Sequence, residues 1–322
     1  MVIILQGYRQ MKLQQIITFV AVYQERSFTA AAEKIHATQS GLSMQIKELE
    51  ARVGVTLFHR SPKGVIATAE GKRLFPHAVN LIRQVEILRQ EMAAIGGEVM
   101  GSVRVGCLPT VSLAGSGRAI TKFTVDYPYV NLQIIEGYSA VLTDMIARGQ
   151  IDFAIVPQNP NVAADAVVLE HIARDKEVLL TSLGSPLDHL AKTRLVDVGP
   201  LKLILPTAGN ARREKIDRYL SICGVKVSAI MEMDAMMATL SLIENSDWSA
   251  ILPSILCYPD MDGSKRKIHP LVSPELTVDY MLIRPMAAEL SLPARIFADC
   301  LAEEIRRMCN YWVSDSGENE LD

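Results

Sequence analysis

Residues 27–50 read SFTAAAEKIHATQSGLSMQIKELE, and the organisation of the chain follows from this stretch. Ser27-Phe28-Thr29 supplies the hydroxyls that cap a helix, and it leads into Ala30-Ala31-Ala32-Glu33-Lys34-Ile35. Alanine is the strongest helix former and one of the smallest residues, so another helix can approach this one closely. His36-Ala37 leaves room for a short turn only, and Thr38 is then placed to cap a third helix from Gln39 to about Arg52. On that helix Leu42, Ile46, Leu49 and Val53 share one face at 4-3-4 spacing, while Gln39, Ser40, Ser43, Met44 and Lys47 lie away from it. An apolar anchoring side with short polar side chains near the N-terminus is what a DNA recognition helix requires. An ordinary amphipathic surface helix is the plain alternative, and the tight turn after an alanine-rich helix argues against it.

Working outward, Leu13, Ile16, Ile17, Val20 and Tyr23 mark one face of a preceding helix. On the other side, Gly54–Arg60 reads as a strand, Ser61-Pro62-Lys63-Gly64 as a turn, and Val65–Thr68 as a second strand. A hairpin tipped by Arg60 and Lys63 forms a wing whose cations suit phosphate contacts, or else a solvated turn. Residues 1–75 hold ten Lys and Arg against five Asp and Glu, in a 322-residue chain whose net charge is −3. A basic head on an acidic body fits a polyanionic partner for the head.

From Thr68 the pattern becomes one long helix. Leu74, Ala78, Leu81, Val85, Leu88, Met92 and Ile95 repeat at coiled-coil spacing between polar and charged flanks. So narrow a stripe calls for an equivalent helix from a second chain, although Pro76 must distort the early turns. Gly96-Gly97 ends the helix and starts a hinge. Beyond it short apolar strands alternate with helices, the texture of an α/β domain. Strands are expected over 103–107, 131–136, 152–156, 177–181, 202–206, 226–231, 250–252 and 280–284. The intervening helices include 113–126, 139–148, 209–222, 234–246 and 293–310.

The blocks Ser27–Ala32, Gln39–Glu50, Gly54–Arg60 and Thr68-Ala69-Glu70-Gly71 resemble, in order and spacing, the successive signatures of the LysR family of bacterial transcription regulators. Gly149–Val156 and Ile251-Leu252-Pro253 resemble two further family blocks, so the resemblance covers nearly the whole chain. Met44 departs from the pattern, which often has an arginine that touches DNA there. Ser246-Asp247-Trp248 stands where the pattern has glycines.

The resemblance implies a winged helix-turn-helix over 11–67, a linker and dimerisation helix over 68–97, and a two-lobed effector domain over 101–310. That domain has the fold of periplasmic solute-binding proteins, with lobe I at 101–173 and 277–310 and lobe II at 174–276. It places DNA contacts at Ser27, Thr29, Thr38, Gln39, Ser40, Ser43, Gln45, Lys47, Arg60 and Lys63, and a dimer seam at Leu74, Ala78, Leu81, Val85, Leu88 and Met92. It places an effector pocket at Pro109, Thr110, Val111, Ser112, Tyr138 and Ser139 from lobe I, and at Pro206, Thr207 and Asn210 from lobe II, with Arg212 nearby. The Met231, Met233, Met236 and Met237 group could wall an apolar pocket or be plain core.

The expected partners are double-stranded DNA bearing an interrupted inverted repeat, a small-molecule effector with organic anions in first place, and a second copy of the chain or a dimer of dimers. RNA polymerase is a further candidate partner, and no cofactor or metal is called for. A solute-binding protein or an enzyme on the same two-lobed scaffold is the rival reading. The first should carry an export signal and no helix-turn-helix. The second should show a nucleophile with its base, or a metal cluster, and the six histidines are scattered. Five dispersed cysteines fit buried thiols, with oxidant sensing as the sharper alternative. No secretory signal is apparent, so the cytoplasm is the expected compartment. Family members begin near Met11, so residues 1–10 are expected to add nothing to DNA recognition, against the rival of an arm that packs on the head.

Overall fold

The structure, a computed structural model, describes residues 11–61, 64–95, 98–158, 167–286 and 289–314. Residues 1–10, Lys63 at the wing tip and the Gly96-Gly97 hinge lie outside it, as does the side chain of Arg60. The chain divides into two compact units, one of residues up to Met92 together with Ala147–Gly149, the other of Ala93–Ile146 and the chain from Gln150 on.

The first unit holds three helices, α1 (Leu13–Glu25), α2 (Phe28–Lys34) and α3 (Gln39–Val53), then a two-stranded hairpin, β1 (Phe58–Ser61) with β2 (Gly64–Ala67), and then the long α4 (Ala69–Ile95). The two expected caps form: Ser27 accepts from the Ala30 N–H at 3.3 Å and Thr38 from the Gly41 N–H at 3.2 Å. Leu42, Ile46 and Leu49 are buried with Ile16, Phe19, Ala31, Leu57 and Phe75. Val53 is not part of that face; α3 ends there with Gly54 in the left-handed conformation, which leaves Val53 exposed. Glu50 turns the chain into the wing by accepting from the Leu57 and Phe58 amides at 2.7 and 3.2 Å.

Thr68 lies outside the second wing strand. Its hydroxyl donates to the Thr56 and Leu57 carbonyls and accepts from the Gly71 N–H at 3.0 Å, so it joins the base of the wing to the first turn of α4. Pro76 lies inside α4 without ending it.

The second unit contains nine strands among the described residues. A parallel group comprises β3 (Gly101–Cys107), β4 (Val130–Glu136) and β5 (Phe153–Pro157). A second group comprises β7 (Leu201–Leu205), β8 (Val227–Glu232) and β9 (Trp248–Pro253), joined in parallel. Two long strands cross between the groups: β6 (Val167–Ser182), which pairs with β9 and with β10 (Arg266–Pro270), and β11 (Thr277–Pro285), which pairs with both β5 and β6. The resulting order is β4-β3-β5-β11-β6-β9-β7-β8. This is the two-lobed arrangement, with a two-stranded ribbon as its crossing. The ribbon holds an irregularity where Tyr280 faces Ala173 and Met281 faces His171, so that Ile172 is the extra residue.

The helix expected over 113–126 is two, α5 (Pro109–Ala114) and α6 (Ser116–Asp126). They break at Gly115, where a Cβ would lie 2.3 Å from the end of Met308 on α10 (Leu292–Ser314). The remaining helices are α7 (Ser139–Ala147), α8 (Arg213–Cys223) and α9 (Met236–Glu244). The first half of β6 and the whole of β10 have no counterpart among the expected strands.

Gly71 gives a direct test of the wing–helix junction. A Cβ on it would lie 2.4 Å from the Leu57 carbonyl oxygen, which is backbone and cannot move aside cheaply. Gly71→Ala is expected to destabilise the first unit by about 1–3 kcal/mol, the usual cost of overpacking. Chemical denaturation of the full chain, followed by hydrogen exchange of the α1–α3 amides, would show it. An unchanged midpoint would mean that the junction yields.

Candidate functional site

Two sets of residues concern function, and the first lies on α3. Gln39, Ser40, Met44 and Lys47 are exposed, Ser43 is half-buried, and Thr29 and Thr38 are exposed near the starts of α2 and α3. Gln45 does not belong with them. Its side chain turns back on α1 and accepts from the Thr18 hydroxyl at 2.5 Å, next to a second tie from Gln15 to Glu48 at 2.9 Å. Thr18 and Gln15 are buried, so Gln45 positions α3 against α1 through its side-chain oxygen. Ser27 caps α2 by accepting from the Ala30 N–H.

The stripe along α4 is not uniform either. Ala78 is 2% exposed inside the core of the first unit, and Leu74 packs partly against the same core, so Ala78 cannot face another chain. Leu81, Leu88, Met92 and Ile95 are exposed and Val85 is half-buried, which leaves an unshared apolar edge over the second half of the helix.

The second set surrounds a cleft between the lobes. β3 delivers Pro109 and Thr110 at its carboxyl end, β4 delivers Tyr138 and Ser139, and β7 delivers Pro206, Thr207 and Asn210. Leu108, Pro109, Thr110, Tyr138 and Ser139 from one lobe and Asn210, Arg212 and Met236 from the other line one narrow cleft. Tyr138, Asn210, Arg212 and Met236 also border an adjoining recess with Pro206, Met233 and Asp234. Val111 falls outside the lining because it is buried in the apolar core, and Ser112 keeps its hydroxyl buried without a hydrogen-bond partner. Of the methionines, Met233 and Met236 reach the recess, whereas Met237 points to solvent.

Asp234, which the sequence reading did not single out, organises the lobe II side. Its carboxylate accepts from the Thr207 backbone N–H at 3.3 Å, from the Thr207 hydroxyl and from the Asn210 side-chain amide at 3.2 Å. Its backbone carbonyl accepts from the Tyr138 hydroxyl across the cleft, so the two lobes are hydrogen-bonded directly. Burial and the neighbouring Asp234 and Glu136 push the Tyr138 hydroxyl up from its ordinary range, which keeps it a donor at neutral pH.

Arg212 is 9% exposed and does not offer its guanidinium to the cleft. It donates to both carboxylate oxygens of Glu177, at 2.8 and 2.5 Å, and to the Ile251 carbonyl at 2.9 Å. Two residues earlier on the same face of β6, Asp175 accepts from the Ser254 hydroxyl and from the Ile255 N–H at 3.1 Å. Asp152 of the Gly149–Val156 block is structural: it accepts from the Arg104 N–H at 2.8 Å and from its guanidinium at 3.2 Å. Where the family pattern has glycines, Asp247 pairs with Lys202 at 2.6 Å, which closes that corner in another way.

Burial pushes the Cys107 thiol up to about 12 and raises those of Cys257, Cys300 and Cys309, so thiolate is scarce at these four. His269 is held near 4 by burial between Thr181 and the Asp188 carbonyl, as an interior histidine.

Two family models match the chain. One for the bacterial regulatory helix-turn-helix protein, lysR family, covers residues 13–72, and one for the LysR substrate binding domain covers residues 96–306. The chain belongs to the LysR family. It is a DNA-binding transcription regulator with an effector-binding domain.

Among relatives, the RuBisCO operon transcriptional regulator of Acidithiobacillus ferrooxidans is 27% identical over 91% of this chain and 94% of that one. The nitrogen assimilation regulatory protein nac of Escherichia coli is 24% identical over 92% and 95%. The regulator CfxR of Cupriavidus necator is 35% identical over a stretch that spans 57% of each chain. Among solved structures, a full-length OxyR variant from Pseudomonas aeruginosa superposes with a TM-score of 0.71 at 20% identity, covering 92% of this chain and 95% of that one. CbnR complexed with its target DNA gives 0.57 at 18% identity, over 91% and 100%. These superpositions establish the shared fold. Among the described residues, no helix is long and apolar enough to cross a membrane.

The environment of Asp175 leads to a pH test. Burial pushes its carboxyl up to about 7, against the pull of the Ser254 hydroxyl and the Ile255 amide and with Glu177 adding to the rise. An unfolded chain ionises this group at the ordinary carboxylate value, so the folded state holds the proton more tightly. The stability this contributes is full below that ordinary value and is lost as the pH rises through about 7. Asp175→Asn removes the dependence. The melting temperature of the variant should therefore gain on that of the wild type between about pH 5 and about pH 8. A difference that stays constant across that range would show that Asp175 is ionised throughout.

Proposed function

We propose that this regulator binds a small organic anion between its lobes and acts as a cytoplasmic homodimer, or a dimer of dimers, on an interrupted inverted repeat, with α3 in the major groove. The observation that carries the ligand reading is the donor set on Asp234. A backbone N–H, a hydroxyl and an amide from one loop converge on the Asp234 carboxylate, and a ligand carboxylate would take them over by displacing it. Thr110 and Ser139 face the same space from the other lobe, both nearly buried. Binding there would alter the Tyr138–Asp234 contact between the lobes, and a ligand shifts a conformational equilibrium by its difference in affinity for the two states. Burial of Cys107, Cys257 and Cys309 speaks against these three as oxidant sensors. The exposed Leu81, Leu88, Met92 and Ile95 edge supports pairing of α4 with its counterpart in a second chain.

A thermal-shift panel of small carboxylates on the full chain tests the ligand. At least one should raise the melting temperature, since a ligand at 100 times its Kd adds about 2.7 kcal/mol. Thr110→Val should abolish that shift while the melting temperature without ligand stays in place. A panel with no stabilising carboxylate, or a Thr110→Val shift equal to the wild type, would refute the proposal. For the dimer, Leu81→Glu with Leu88→Glu sets like charges face to face and should yield monomers by light scattering. If the pair of substitutions leaves the mass of a dimer, α4 is not the main interface.

A further inference from the structure

We propose that Met44 is a specificity-determining residue that reads a thymine 5-methyl group in the major groove. The inference rests on the placement of α3 in that groove. Leu42, Ile46 and Leu49 define the buried direction of α3. At 100° per residue, Met44 lies roughly 165° around the helix from it. It is 60% exposed, at the centre of a stripe formed by Ser40, Met44, Lys47 and Ala51. Gln45, the long polar neighbour that could have dominated the readout, is drawn away by Thr18. The side chain most directly opposite the anchoring face is therefore an apolar one.

The chemistry of the groove then limits what Met44 can recognise. A thioether has no proton to donate and accepts weakly, so it cannot satisfy the polar edges of guanine, cytosine or adenine. The apolar feature that base pairs present in the major groove is the thymine methyl. Against a G·C pair, Met44 would cover polar base edges without replacing their hydrogen bonds to water, which carries a penalty. Lys47 one turn further on can take a phosphate, while Ser40 and Gln39 can bond to polar edges at the helix N-terminus. Met44 thus supplies selectivity that its polar neighbours cannot, for an A·T pair in one orientation within each half-site.

The test uses the full chain and a duplex it selects from a random pool. Each thymine is replaced in turn by deoxyuridine, which deletes the methyl and leaves every hydrogen bond in place. The readout is the ratio of affinities for the thymine and uracil duplexes, which cancels any general loss of folded protein. The wild type should lose roughly fourfold at one symmetry-related position per half-site, the worth of one buried methyl. Met44→Ala should bind the two duplexes equally there, and Met44→Leu, which keeps an apolar end, should retain the preference.

A wild type indifferent to uracil at every position would overturn the inference, and so would a Met44→Ala profile identical to the wild type. Gln39→Ala and Lys47→Ala on the same duplexes separate this from the wider reading. If both also leave binding unchanged, α3 does not enter the groove; if either weakens it, the failure belongs to Met44 alone.

Discussion

Burying Glu177 beside the crossing between the lobes is tolerable because Arg212 meets it with two parallel hydrogen bonds. An unpaired carboxylate at 2% exposure would be prohibitive, and removing one partner of such a pair commonly costs about 3–5 kcal/mol. The pairing has geometric reach. Arg212 ends the loop that begins at Pro206, so fixing its guanidinium to β6 and to the Ile251 carbonyl fixes the path of Thr207 and Asn210 as well. Asp175, on the same face of β6, fastens the end of β9 through Ser254. The cleft lining is therefore referred to one strand, and the hydrogen bonds on Asp234 complete what that strand begins.

The first unit depends on polar ties of a different kind. Its core is small and assembled from many elements, and buried polar groups set the angle between them. Thr18 and Gln15 on α1 hold Gln45 and Glu48 on α3, and Glu50 holds the start of the wing. These bonds orient α3 so that its exposed stripe is a fixed surface.

Much of this is legible in the sequence where the signal is local. The Ser27 and Thr38 caps and the Leu42, Ile46 and Leu49 face follow from hydroxyl placement and helical period, and those elements form within a residue or two of expectation. The cleft loops are placed by family resemblance, not by their own pattern. What escapes is non-local. The first ten residues of β6 carry His171, Arg174, Asp175 and Lys176, polar residues with no strand pattern of their own, and it is β11 that pairs with them. Gln45 reads like any exposed glutamine, because its partner Thr18 is 27 residues away. Arg212 reads as free for a ligand, since Glu177 lies 35 residues off, and Asp234 gives no sign that three donors will gather on it. Ala78 keeps the heptad spacing yet faces the core, because spacing alone does not say which chain will cover a position.

The crossing ribbon of β6 and β11 bears on how a message could leave the cleft. Two antiparallel strands resist stretching, since their backbones are already nearly fully extended, but they twist readily, and an extra residue such as Ile172 increases the local twist. A ligand that changes the closure of the lobes would thus convert a translation of side chains in the cleft into a rotation of one lobe about the ribbon. The displacement a rotation produces grows with distance from its axis. The largest displacement would fall at the outer strands β4 and β8, the two ends of the strand order, and not at the cleft.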